Sequence, residues 1–252
     1  MNNYAVNNSP FRGLGGMLLA AGFGTRLKPF TDHYPKALAE VNSKTLLQLN
    51  IEYLQQFGIY NVIVNVHHFA DQIIQKIREN NGWGSNISIS DERDAILETG
   101  GGLKRAGWFF EKEECFVLMN VDVLTDLPLN EMISFHKKNK PLATLATSNR
   151  ETSRYFLFNE ENILCGWKNV KTGEEKIMRN AKNLTSKAFS GIHVISPEIF
   201  SLMQQREPKF SMVDVYLSLC AYQNILSFDH SQTKFIDVGK PESLQRAAEL
   251  FQ

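Results

Sequence analysis

The chain is short of cysteine, of net charge and of long apolar runs. Its three cysteines, Cys115, Cys165 and Cys220, lie far apart and show no Cys-x-x-Cys or Cys/His ligand spacing, which argues against a disulfide framework or a structural zinc site. Cys115 and Cys220 sit in apolar stretches, where a free thiol is commonly buried. Lys plus Arg equals Asp plus Glu at 27 each, so the overall charge points to no nucleic-acid or membrane surface. No apolar run approaches the roughly 18 residues of a membrane span. The Asn-rich start, Met1 to Pro10, has no cationic cluster leading into an apolar stretch, so no leader is expected. These absences predict a cytoplasmic protein with no nucleic-acid and no membrane partner, in which any nucleotide is held by a local site.

What is present suits a globular α/β domain. At 252 residues with 43% apolar and 21% charged side chains, the chain can bury a substantial core. A flexible tail over 1–12 and a single domain over 13–252 are expected. Strand-like and helix-like patterns alternate through the first 150 residues, the signature of βα units on a mostly parallel, Rossmann-like mixed sheet between helices. The spacing predicts strands at Leu14–Ala20, Asn61–Val66, Asn86–Ser90, Cys115–Asn120 and Leu142–Thr147. Helices are predicted over Thr45–Phe57 and Asp71–Glu79 and from near Gly102 and Leu129. Between Arg154 and Lys187 alternating, polar-rich segments with Asn and Gly turns predict antiparallel hairpins, a small lobe near 150–187 over one end of the sheet. A strand at Phe189–Ile195, a helix from Met212, a strand at Lys234–Val238 and a helix after Pro241 complete the pattern.

The most informative segment follows the first strand: Ala20-Ala21-Gly22-Phe23-Gly24-Thr25-Arg26-Leu27. Gly22 and Gly24 permit positive φ and close backbone approach, so main-chain N–H groups can face phosphate oxygens. Arg26 adds a planar cation able to hold two phosphate oxygens. There is no Gly-Lys-Ser/Thr ending and no third glycine of a dinucleotide fingerprint. Pro35-Lys36 follows, a lysine stiffened by its proline. Glu98-Thr99-Gly100-Gly101-Gly102 precedes a helix, where clustered glycines expose N–H groups for a ligand. Asn120-Val121-Asp122 sits at the carboxyl end of a strand, where open α/β sheets bind ligands. Asp237-Val238-Gly239 follows another strand; Asp237 suits either a cation ligand or a cap of the last helix.

Gly22-x-Gly24-Thr25-Arg26-Leu27 with Pro35-Lys36 resembles the signature of the sugar-1-phosphate nucleotidylyltransferases, and the likeness runs from Leu18 to the C-terminal helix. The resemblance implies transfer of a nucleotidyl group from an NTP to a sugar 1-phosphate, with release of pyrophosphate. It implies that Ala20, Ala21, Gly22, Gly24, Thr25 and Arg26 wrap the triphosphate, with Arg26 and Lys36 beside the reacting phosphates. It implies further nucleotide contacts from Thr99, Gly101 and Asn120, and a sugar backed by Glu98, Ser190 and Gly191. Asp122 and Asp237 are implied as the ligands of one Mg²⁺. The Glu98–Gly102 string resembles the N-acetylmuramate-1-phosphate uridylyltransferase branch, so UTP and that sugar phosphate are the expected pair. Mannose- or heptose-1-phosphate guanylyltransferases and phosphocholine cytidylyltransferases are the alternatives. Relatives usually carry Gly where this chain has Val121. A monomer or homodimer is expected. From other classes, a metal-dependent glycosyltransferase would use Asn120-Val121-Asp122, and a nucleotide sensor would keep the glycine loop without turnover.

Other residues read as structure. His67-His68 are adjacent, so their side chains diverge and no third ligand is near. Ser211 with Asp214 reads as a helix cap. Trp167 can line a pocket or pack under the hairpins.

Overall fold

A computed structural model describes residues 13–252, so the tail expected over 1–12 lies outside the described residues. In chain order the elements are β1 (Gly15–Leu19), β2 (Glu40–Val41), β3 (Lys44–Thr45), α1 (Leu46–Gln56), β4 (Asn61–Val66), α2 (Ala70–Glu79) and β5 (Asn86–Asp91). They continue with α3 (Glu98–Arg105), β6 (Phe116–Asn120), β7 (Val123–Thr125), α4 (Leu129–Asn139), β8 (Ala143–Ser148), β9 (Arg154–Phe158), β10 (Leu164–Asn169) and β11 (Glu174–Ile177). The last are β12 (Thr185–Ile195), α5 (Ile199–Met203), α6 (Met212–Leu219), β13 (Ile225–Asp229), β14 (Phe235–Asp237) and α7 (Pro241–Leu250).

Ten strands form one mixed sheet, running β11-β10-β9-β12-β6-β1-β4-β5, with β8 also on β12 and β13 on β8. The pairs β6–β1, β1–β4, β4–β5 and β8–β13 are parallel, while β12 runs antiparallel to both β6 and β8. The carboxyl ends of β1, β4, β5, β6, β8 and β13 therefore share one edge. Strands buried on both faces read as apolar runs, and β4 is buried at every position after Asn61. Alternation sends Leu18, Val62 and Val64 into the core under α1, α2 and α4, and Met17, Ile63 and Leu118 into the core under α3, α5 and α6. Burying each such side chain contributes about 1.5–3 kcal/mol.

Local chemistry sets the boundaries. Thr45 caps α1 by accepting from the Gln48 N–H, and Gly58, at φ 81°, takes the left-handed turn that ends it. Ser211 caps α6 by accepting from the Asp214 N–H, as its spacing predicts. The hairpins expected between Arg154 and Lys187 are β9, β10 and β11, which extend the main sheet from β12. Trp167 packs half-buried against the second core, and all three cysteines are buried free thiols.

The expectation for the Glu98–Gly102 segment needs correction. The helix starts at Glu98 rather than near Gly102, so Gly100, Gly101 and Gly102 lie inside α3. Their lack of side chain serves packing: a Cβ on Gly101 would collide with the Pro208 carbonyl, and one on Gly102 with Glu92 and Asn65.

A third, smaller core joins Leu27, Ala39, Val41 and Leu46 to Leu124, Ile236, Val238 and Ala247. It ties the loop after β1 to a separate two-stranded ribbon, β14 antiparallel to β7, and to α7. Among the described residues, no helix is long and apolar enough to cross a membrane.

Candidate active site

A cleft of about 300 Å³ opens at the carboxyl edge of the sheet. Residues from several separate segments line it, among them Ala20 to Gly22, Gly24 to Arg26, Lys36, Glu98 and Thr99, Asn120 to Asp122, and Gly239. The loop after β1 is shaped by Gly24, which takes φ 61°; a Cβ there would press on Lys36 Cβ and Thr31 Cγ2 at 2.9 Å. Gly24 therefore serves both a left-handed turn and the close approach of Lys36. Gly22 differs from expectation: its φ is not positive and a side chain there would meet nothing. It lines the cleft without needing special backbone. The Ala20 N–H is not available to a phosphate, because it donates to Asn65 Oδ1 at 2.7 Å.

Lys36 and Asp122 form an ion pair, their side chains 11% and 19% exposed. Asp122 stands two residues past the end of β6, and the Val238 N–H donates to its carbonyl at 2.8 Å. The β7–β14 ribbon thereby brings Asp237 beside it. At Asp237 desolvation by burial, and next the Asp122 carboxylate, push the pKa up; Lys36, Arg26 and Arg150 oppose this. Both carboxylates thus belong to one electrostatic centre, though Asp237 ends a ribbon strand rather than a strand of the main sheet. The ribbon also settles the question of a cap: the Asp237 side chain caps no helix, since Lys240 precedes α7 without a side-chain cap.

Gly239 completes the floor. A Cβ there would meet Asp237 Oδ1 at 2.8 Å and Arg26 Nη2 at 3.0 Å, so the missing side chain lets the guanidinium lie beside the aspartate. Val121, where a glycine was expected, is buried in the first core, and its carbonyl accepts from Asn50 Nδ2 at 2.9 Å. Among the described residues, no group of three or more His, Cys, Asp or Glu side chains gathers as a cation cage. His67 and His68 pack on Phe23 instead.

Three expected contacts lie away from the cleft. The Gly101 N–H donates to the Phe210 carbonyl at 3.1 Å, so it does not present a donor to a base. Ser190 is buried and bonded to His230 Nε2 at 2.7 Å. Thr233 donates to the His230 carbonyl and accepts from His230 Nδ1–H, which leaves Nε2 to accept the Ser190 hydroxyl. The Ser190 hydroxyl therefore points into the protein rather than at a sugar. Gly191, at φ 75°, makes room for Asn120, whose Nδ2 would lie 2.6 Å from a Cβ. It acts behind the cleft wall. Thr99 does line the cleft while its Oγ1 accepts from the Met212 N–H.

Sequence reasoning missed Asn65 and Glu92, which both line the cleft. Asn65 Nδ2 donates to Glu92 Oε1 at 2.8 Å, while Oε2 is buried with no hydrogen-bond partner. Burial pushes the Glu92 carboxyl up, with the Asn65 amide and Arg105 pulling it back. The signal was available: Asn65 is a polar residue within the apolar run Val62–Val66.

A family model described as nucleotidyl transferase matches residues 15–252. The chain belongs to that family. As a nucleotidyl transferase it has sequence relatives of stated name. Mannose-1-phosphate guanyltransferase of Yarrowia lipolytica is 30% identical over 230 residues, covering 90% of this chain and 61% of that protein. Mannose-1-phosphate guanyltransferase beta-A of Xenopus laevis is 28% identical over 233 residues, with the same coverage of 90% and 61%. The chain thus spans about three-fifths of the length of these curated relatives. Two solved structures share the fold. HddC from Yersinia pseudotuberculosis, complexed with GMP-PN, aligns with TM-score 0.74 at 23% identity, covering 95% of this chain and 100% of that one. The inositol-1-phosphate CTP transferase from T. maritima aligns with TM-score 0.75 at 17% identity, covering 94% of each chain.

Arg26 gives a first test of this nucleotidyl transferase cleft. Its side chain is exposed, so the Arg26→Ala protein is expected to melt at the parent temperature. Loss of one preorganised donor to phosphate should lower kcat on the order of 10²-fold. Near-parental turnover in the folded variant would remove Arg26 from the site.

Proposed function

We propose that the protein is a sugar-1-phosphate nucleotidylyltransferase that joins an NTP and a sugar 1-phosphate into an NDP-sugar and pyrophosphate. The observation that carries this reading is the meeting of Arg26, Lys36 and Asp122, drawn from distant segments, in one glycine-lined cleft, with Asp237 electrostatically coupled to all three. An acceptor phosphate is already anionic near neutral pH, so no general base is required. The barrier lies in bringing two polyanions together and in stabilising the departing pyrophosphate, tasks suited to preorganised cations and N–H groups.

Asp122 and Asp237 fit a divalent cation. They are two hard oxygen donors whose like charges oppose each other, and Mg²⁺ commonly takes one or two carboxylates with phosphate oxygens and water. When bound, such an ion would draw charge from the phosphates. Lys36 and Arg26 hold positive charge at the same floor.

For the substrate pair, the names of the relatives support GTP with mannose 1-phosphate, the alternative to UTP with N-acetylmuramate 1-phosphate. The expected result of a pyrophosphate-release screen, four NTPs against sugar 1-phosphates and phosphocholine, is the highest kcat/KM for GTP with mannose 1-phosphate. A best pair of UTP with N-acetylmuramate 1-phosphate would return the protein to the uridylyl branch. Release of a nucleoside diphosphate instead would indicate a glycosyltransferase, and binding without release a sensor.

A further inference from the structure

The carboxyl edge of the sheet carries a second, polar cavity of about 450 Å³, between the loops that follow β8 and β13. Ser148, Arg150, His230, Thr233 and Phe235 line it. Arg150 is the unusual member. Its side chain is half-buried, yet among the described residues no carboxylate lies within ion-pair distance of it. Nη2 donates to the Phe189 carbonyl at 2.7 Å, while Nε is buried without a partner. Ser148 Oγ, on the same cavity wall, is also buried and unpartnered. A partly desolvated cation whose balancing carboxylate, Asp237, stands beyond ion-pair distance has charge to spare for an arriving anion.

Its position relative to the reacting centre follows from β14. The guanidinium sits over the Phe235 ring, 5.0 Å from the centroid. Phe235 and Asp237 are two apart on a strand and so share a face. Arg150 therefore stands beside Asp237, and each feels the other's charge. Arg26 lies against Gly239, two residues past Asp237 on the other side. Two guanidinium groups thus flank the carboxylate pair along the chain direction, and Lys36 joins the Arg26 side through Gly24 and Asp122.

In-line displacement at phosphorus needs the entering and leaving oxygens on opposite sides. With the departing pyrophosphate on the Arg26 and Lys36 side, the entering group belongs on the Arg150 side. We infer that Arg150, with the Ser148 hydroxyl, anchors the phosphate of the acceptor sugar 1-phosphate; this rests on the function proposed above. An oxygen of the anchored phosphate forms the new bond to the α-phosphorus. The bond from the α-phosphorus to the bridging oxygen breaks, and its electron pair leaves with pyrophosphate. Arg150 keeps its proton and charge throughout.

Arg150→Met tests this, because it keeps the contact with Phe235 and removes the charge. Calorimetry with inorganic phosphate and with mannose 1-phosphate, both without nucleotide, would be compared with steady-state KM values and the melting temperature. The expected result is a KM for the sugar phosphate raised about tenfold or more, and loss of phosphate binding. The KM for GTP and the melting temperature should stay near parental values, and Arg150→Lys should recover part of the affinity. Unchanged phosphate affinity and sugar-phosphate KM would overturn the proposal and leave Arg150 as a strut for the Phe189 carbonyl. An equal rise in the KM for GTP would overturn it too. If Arg150→Met fails to fold, Ser148→Ala and Arg150→Lys carry the same comparison, and unaltered phosphate binding in both would overturn it. Should no NTP and sugar phosphate release pyrophosphate, the proposed function fails, while the inorganic phosphate measurement still decides on Arg150.

Discussion

Asp122→Asn and Asp237→Asn are each expected to lower kcat by about 10²-fold or more at ordinary Mg²⁺, with opposite effects on stability. The two carboxylates repel, and desolvation and Asp122 already push the Asp237 pKa up. Neutralising Asp237 removes a repulsive charge, so that variant should melt at or above the parent temperature. Asp122 is different, because it pairs with a mostly buried Lys36. Its loss leaves an ammonium short of its partner and should destabilise by about 1–3 kcal/mol. Thermal melts beside pyrophosphate-release assays check both halves. Full Mg²⁺-dependent activity in either variant would remove that residue from the cation site, and identical melting shifts would contradict the asymmetry of the pair.

Acid should unfold the protein well before its carboxylates are protonated. His136, His193 and His230 are buried, and burial pushes their pKa values from the ordinary 6.5 down to about 4, about 3 and about 4. Each is held neutral by hydroxyl partners: His136 between Thr144 and Ser196, His193 against Tyr216, and His230 between Thr233 and Ser190. Between the folded and unfolded values, only the unfolded chain binds these protons. Stability from this source is complete above pH 6.5 and falls as pH drops towards 4. Three such groups together should remove about 5 kcal/mol between pH 6.5 and pH 5, a large part of an ordinary domain's stability. Denaturant melts across that range should show the decline. His136→Gln should flatten the slope by about one proton, and a pH-independent midpoint would refute the account.

Much of the fold was legible because its signals are local. Asn61–Val66 is rich in β-branched apolar residues, Thr45 and Ser211 are caps, and Gly58 is a stop, so each boundary follows from a few neighbouring residues. That Gly24, Arg26 and Lys36 line one cleft was legible for the same reason. The errors fell where one residue type serves two purposes. Gly100 to Gly102 read as an exposed loop, but Gly also allows helix and backbone to touch, and the backbone in question, Pro208 and Phe210, is over a hundred residues away. Ser190 read as a sugar contact because nothing nearby in sequence announces His230 as its partner. Arg150 carries no local pattern at all; its meaning comes from Phe235, on a strand that joins the site only through the ribbon.

That ribbon also orders events in time. Thr125 Oγ1 donates to the Lys234 carbonyl across 109 residues, and the Val238 N–H closes on the Asp122 carbonyl. During synthesis the glycine loop, Lys36 and Asp122 leave the ribosome long before β14. A nascent chain that has already laid down β1, β4 and β6 holds the glycine loop and a single carboxylate of the pair, Asp122, beside Lys36. The second carboxylate, and with it the seat of Arg150 over Phe235, arrives only when β14 docks and Ile236 and Val238 enter the third core. Translation thus withholds the complete charge pattern until the sheet that must bear it is in place.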